Sequence, residues 1–155
     1  MRVRVIAVGT RMPPWVRTAC DEYLSRLRAA LPVTLTEIEP APRRGADVPR
    51  AVAAEGAKLL AALGDDDHVV VLDERGSELS TRELADWLAT RMRTGEDLAF
   101  LIGGADGHAP EVRRRGNLTL ALSRLTLPHA LARVLLAEQL YRAHSILANH
   151  PYHRA

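Results

Sequence analysis

Two short runs constrain this chain more than any other feature: His68–Leu72 (HVVVL) and Leu98–Ile102 (LAFLI). Neither alternates apolar with polar residues, and both are too short for a helix. Such runs are strands buried on both faces, which requires a parallel sheet covered by helices on each side. The rest of the chain agrees. Arg2–Val8 and Val33–Ile38 alternate as strands, and Leu118–Leu122 reads as a fifth. Between them lie helical stretches. One opens at Pro13-Pro14, with Val16, Cys20, Tyr23, Leu27 and Leu31 on one face. A second spans Arg50–Leu63, stopped by Gly64. A third starts at the capping box of Ser80 and Glu83 and ends near Gly95. A short one opens at Pro110 and a long one runs from Pro128 to about Leu147. Strands alternating with helices make an α/β fold with a mostly parallel five-stranded sheet; pattern alone does not order its strands.

A chain of 155 residues fits one domain, 1–155. It is 47% apolar and 26% charged, a globular balance. No apolar run is long enough to cross a membrane. Cys20 is the sole cysteine, so an internal disulfide and a cysteine-based zinc cage are excluded. With no signal peptide at Met1–Gly9, these features place the protein in the cytoplasm. His129, His144, His150 and His153 lack the spacing of a metal site, and none is expected. The net charge of +2 permits an RNA partner without demanding one.

In open parallel sheets, ligands bind beyond the carboxyl ends of the strands. Three such ends here carry unusual residues: Leu72-Asp73-Glu74-Arg75-Gly76, Ile102-Gly103-Gly104-Ala105-Asp106-Gly107, and Leu122-Ser123-Arg124-Leu125-Thr126-Leu127-Pro128-His129. The paired glycines let a ligand approach the main chain. The last segment mixes walls and donors as a purine pocket does. Neither G-x-G-x-x-G nor a P-loop is present. Asp73 stands where a phospho-receiver keeps its aspartate, but the acidic pair and the lysine of that site are missing. The segment 40–49, with Arg43, Arg44 and Gly45, reads as a mobile basic loop. The tail Asn149-His150-Pro151-Tyr152-His153-Arg154 is either a solvated end or a substrate clamp.

Several of these segments together resemble one family. Gly9-Thr10-Arg11-Met12-Pro13, Leu101-Ile102-Gly103-Gly104, Leu125-Thr126-Leu127-Pro128-His129, Glu138-Gln139-Leu140-Tyr141-Arg142-Ala143 and the tail hexapeptide are similar to the large-subunit ribosomal RNA methyltransferases of the SPOUT class. The resemblance runs from the first strand to the end of the chain. It implies a C-terminal trefoil knot, against the general avoidance of knots. It also implies a homodimer in which the tail of one chain reaches the cofactor of the other. The implied reaction is S-adenosylmethionine-dependent methylation at N3 of pseudouridine 1915 in helix 69 of 23S rRNA, on assembled ribosomes.

Carried over by motif, the cofactor contacts are Leu72, Gly103, Gly104, Leu122, Ser123, Arg124, Leu125, Thr126 and Leu127. His129 and His153 are the proton-transfer candidates, Arg142 stabilises charge on the ring oxygens, Tyr152 stacks on or orients the base, and Arg154 contacts RNA. No metal is needed. The chain departs from the family at Ala105 and Asp106, where Pro-Glu is expected, and at His144, where tryptophan is expected.

Overall fold

The computed structural model describes residues 1–43, 45 and 47–154. Its elements follow the expected alternation: β1 (Val3–Val8), α1 (Pro14–Leu27), β2 (Val33–Ile38), α2 (Val48–Ala61), β3 (His68–Glu78), α3 (Thr81–Thr94), β4 (Leu98–Ile102), α4 (Pro110–Arg115), β5 (Leu118–Ala121) and α5 (His129–Leu147). A short 3₁₀ turn, Pro151–His153, ends the chain. All five strands are parallel, in the order β2-β1-β4-β3-β5.

Both apolar runs lie inside the sheet, each hydrogen-bonded on its two edges, and β4 is buried along its whole length. Side chains alternate between two cores, as the strand period requires. Val70, Leu72, Leu98, Phe100 and Ile102 face α1, α3 and α5 with Leu27, Leu88, Leu136 and Leu140. Val69, Val71, Ala99 and Leu101 face α2 and α4 with Leu59 and Val112. Helices therefore cover both faces. None of the described helices is long and apolar enough to cross a membrane.

Several boundaries differ from those read in the sequence. α2 stops at Ala61, with Ala62 as its cap, before Gly64 is reached. The Gly64 N–H instead donates to the Asp67 carboxylate at 2.7 Å. β3 does not end at Leu72. Leu120 of β5 pairs with Leu72 and again with Ser77, so Asp73–Gly76 loops out of the ladder. That bulge needs Gly76: a Cβ there would stand 2.6 Å from the Thr119 carbonyl oxygen.

The capping box at Ser80 forms in both directions, and Gly95 closes α3 with φ +72. After α5 the turn is made by Asn149 at φ 56, a conformation asparagine tolerates better than most residues. The His150 N–H then donates to the Ser145 carbonyl, folding the tail back along α5.

Candidate functional site

A cleft of about 820 Å³ opens at the bulge of β3 and the carboxyl ends of β4 and β5. Its walls include Leu72, Ile102, Leu120, Leu122 and Leu127, its floor the Gly103–Gly107 turn, and its rim Asp73, Glu74 and Arg75. The turn closes on itself through the Gly107 N–H and the Gly104 carbonyl, 3.2 Å apart. A Cβ on Gly103 would stand 3.0 Å from the main chain of Gly107, so the glycine allows the tight return. Of the residues read as cofactor contacts, Leu72, Gly103, Gly104, Leu122, Ser123, Leu125, Thr126 and Leu127 line the cleft, as does His129. Arg124 is exposed and is not among the lining residues.

Ionic contacts that sequence reasoning missed fix the cleft. Burial raises the Asp73 carboxyl, but hydrogen bonds from the side chain and backbone of Arg75 outweigh it, aided by Arg113, and hold it below its ordinary value. Thr126 donates to Glu74 at 2.8 Å, tying the bulge of β3 to the segment after β5. Behind the glycine turn sits Glu55, 2% exposed on α2. Arg43 grips it with two nitrogens and holds Asp106 through Nε at 3.1 Å and an Nη at 3.0 Å. The start of the basic loop is thus anchored at Arg43; Arg44 lies outside the described residues. Asp106, one of the two departures in its turn, has a partner despite its shorter side chain. The one cue to Glu55 was an acid inside an apolar helical stretch.

His129 begins α5 beside the end of β1: a Cβ on Gly9 would stand 3.6 Å from its Cε1. Burial, and then the Arg133 charge one turn on, lower its pKa. Arg133 itself is 2% exposed; it donates to Glu37 at 2.6 Å and to the Gly9 carbonyl at 3.2 Å. It fastens the loop after β1 to the first turns of α5. The spacing from His129 was its sequence signal, four residues and so the same helical face.

The remaining candidates gather elsewhere. Arg142 lies 13 residues beyond His129 on α5, about 20 Å along the axis. Around it, Glu138 accepts from Arg142 Nε at 2.8 Å and from the Tyr152 hydroxyl at 3.1 Å. The Tyr152 ring lies 4.4 Å from that of Tyr141, with the Arg142 guanidinium 4.9 Å from its centroid. Burial, then the neighbouring Glu138, push the Tyr152 phenol up to about 12. His153 is partly buried beside it, and Arg154 is exposed. Within one chain, therefore, the cleft residues and the tail residues form two separate clusters. His144 follows Arg142 on α5, its imidazole lowered by burial.

Comparison with known proteins agrees with this architecture. Residues 1–153 match the family described as "Predicted SPOUT methyltransferase". The ribosomal RNA large subunit methyltransferase H of Paraburkholderia phymatum is 48% identical over 155 residues, covering 99% of each chain. That of Methylococcus capsulatus is also 48% identical, covering 99% of this chain and all of its own. Two solved structures share the fold at low identity. The tRNA (m1G37) methyltransferase of Aquifex aeolicus has a TM-score of 0.52 at 16% identity, over 90% of this chain and 70% of that one. A putative methylase family protein of Neisseria gonorrhoeae has a TM-score of 0.55 at 18% identity, over 90% and 81%. With its parallel sheet, its cleft beyond the strand ends and relatives matched from end to end, the chain belongs to the SPOUT methyltransferase family, in the group of the ribosomal RNA large subunit methyltransferases H.

Proposed function

We propose that the protein methylates N3 of pseudouridine 1915 in helix 69 of 23S rRNA, using S-adenosylmethionine and acting on assembled ribosomes. The observation that carries this reading is the strand-end cleft, built from the segments shared in kind with that family, in a chain whose full-length relatives bear the name of large-subunit rRNA methyltransferases. The cleft suits the cofactor. Leu72, Ile102, Leu122 and Leu127 offer apolar walls to an adenine, Gly103 and Gly104 leave main chain accessible, and carboxylates on the rim suit a cation. When bound, the cofactor supplies a methyl already activated by a positive sulfur.

The chain's residues must then hold the base and take its N3 proton. His129 is the better placed base: it lines the cleft, and burial and Arg133 keep it neutral near pH 7, free to accept a proton. Arg142 keeps its charge beside Glu138 and offers its terminal nitrogens to the ring oxygens. The Tyr152 ring is packed by Tyr141 and Arg142, which leaves it the work of orienting rather than stacking. His153 and Arg154 complete the tail, with Arg154 toward the RNA.

The separation of cleft and tail supports a homodimer in which each tail serves the partner's cleft, since about 20 Å of helix divides them within one chain. A C-terminal trefoil knot around the cleft belongs to the same reading. The test uses ribosomes whose helix 69 lacks the methyl group, incubated with labelled S-adenosylmethionine beside protein-free 23S rRNA. Label at N3 of that pseudouridine in ribosomes, with little in naked rRNA, is the expected result. Tight cofactor binding without label in either substrate would overturn it. Mixing His129→Ala with Tyr152→Ala chains in equal amounts should restore about a quarter of the sites, because half the dimers are mixed and each regains one intact site. No restoration would refute the shared site.

A further inference from the structure

The tail cluster contains one residue that neither the motifs nor the proposed chemistry use. Arg26 belongs to the last turn of α1. Its guanidinium carbon lies 5.7 Å from the Tyr23 ring centroid, 5.4 Å from that of Tyr141 and 5.8 Å from that of Tyr152. All three tyrosines of the chain therefore meet at one cation. Glu22, one turn earlier on α1, accepts from Arg26 Nη2 and fixes its direction.

A simple surface ion pair would explain the contact with Glu22 but not the convergence of three rings, two of them from other elements. Tyr141 comes from α5 and Tyr152 from the terminal 3₁₀ turn. The Tyr152 ring consequently has guanidiniums from two helices near it, Arg142 at 4.9 Å and Arg26 at 5.8 Å, while Glu138 holds its hydroxyl. A planar, weakly hydrated guanidinium is suited to this place because it stacks on ring faces more readily than a compact, strongly hydrated ammonium.

We infer that Arg26 is a positioning residue for methyl transfer: its guanidinium gathers Tyr23, Tyr141 and Tyr152 and so sets the pose in which the tail is presented to the partner's cleft. This rests on the proposed role of the tail. Arg26 touches neither base nor methyl donor, and it acts only through Tyr152.

The test combines a double-mutant cycle with a probe of the ring itself. Wild type, Arg26→Ala, Arg26→Lys, Tyr152→Ala and the Arg26→Ala/Tyr152→Ala double variant are compared for turnover on unmethylated ribosomes and for affinity toward S-adenosylmethionine. Arg26→Ala should lower turnover roughly fivefold to tenfold, in keeping with loss of a cation–ring contact, and leave donor affinity unchanged. Arg26→Lys should recover only part. The double variant should be no slower than Tyr152→Ala alone, because the first residue works through the second. In parallel, protein labelled with 3-fluorotyrosine, with the Tyr152 line assigned from Tyr152→Phe, should show that line shift and broaden on Arg26→Ala.

Losses that multiply in the double variant would overturn the inference, since Arg26 would then act by another route. So would an unmoved Tyr152 line, whatever the activities. Wild-type protein that transfers no methyl, yet shows the expected line shift, would instead locate the failure in the proposed reaction and remove the functional claim for Arg26 with it.

Discussion

Removal of Arg43 is the sharpest test of how the glycine turn of the cleft is held. Arg43→Ala leaves Glu55 2% exposed on α2, keeping the Ala41 N–H at 3.0 Å as a partner but losing its cation. Breaking a buried ion pair by removing one member costs about 3–5 kcal/mol. The Arg43 side chain is 27% exposed, so water reaches the vacated space, and the expected loss is about 2–3 kcal/mol. For a domain of this length that lowers the midpoint of thermal unfolding by roughly 5–10 °C. Asp106→Asn breaks only the outer arm of the same network. Its side chain is 39% exposed, and such a pair contributes at most about 1 kcal/mol. Urea unfolding of both variants beside wild type measures the contrast, and calorimetric titration with the methyl donor measures the cleft. Both variants should weaken donor binding, Arg43→Ala more, because Asp106 belongs to the lining. Equal stability losses, or a loss below about 1 kcal/mol for Arg43→Ala, would refute the reasoning that Glu55 depends on Arg43.

Three further outcomes can be measured without a substrate. Gly76→Ala should cost several kcal/mol and disturb the cleft wall, since its Cβ would meet Thr119 and Leu120 main chain at 2.6–2.8 Å, whereas Gly95→Ala, with open space around it, should cost only about 1–2 kcal/mol for its φ of +72; urea midpoints decide. Burial lowers the imidazoles of His108, His129 and His144 below their ordinary 6.5. The unfolded chain then binds more protons, so stability present above pH 6.5 should fall as the pH drops toward the lowered values; His108→Leu should flatten that slope in unfolding curves from pH 5 to 8. Cys20, 2% exposed and with its thiol pushed up by burial, should react with a thiol reagent only as fast as the protein unfolds; rapid labelling of native protein would contradict its burial.

Where the sequence was legible, one local interaction settled the outcome. The limits of β2 and β4 are those of the alternating and the fully apolar run, and α3 runs from the Ser80 capping box to Gly95. Where it was not, a distant partner decided. The extension of β3 to Glu78 exists because β5 offers Leu120 twice, a pairing no residue near Leu72 announces. Gly64 resembles a helix stop, yet Asp67 claims its N–H. The cleft followed from a rule about parallel sheets applied to three strand ends, so its lining was legible before its shape. The residues that brace it were not. Arg43 and Asp106 are 63 positions apart, and Arg133 and Glu37 are 96 apart. Only the folded chain brings such pairs together.

The two clusters at opposite ends of α5 pose a problem that one protomer does not solve. His129, at its first turn, shares the cleft with the glycine turn; Arg142, with Tyr152 against it, sits more than three turns away. Bending α5 would not bring them together, because Leu136, Ala137, Leu140 and Ala143 are buried along its length. Release of the tail would not either: Arg142 is itself part of the helix, and Glu138 holds it there. If both clusters serve one reaction, the rigid helix requires the second to come from another copy. The fastenings are arranged accordingly. Arg133 ties the first turns of α5 to the ends of β1 and β2, and Arg26 ties the tail to α1. Each cluster is thus preorganised separately within its own chain, and the proposed dimer would need only to set one rigid surface against another. Such a site should be lost on dilution below the dimer dissociation constant while the fold persists, so turnover per chain should fall with concentration before circular dichroism changes. Turnover per chain that stays constant in monomers would return the whole reaction to one protomer.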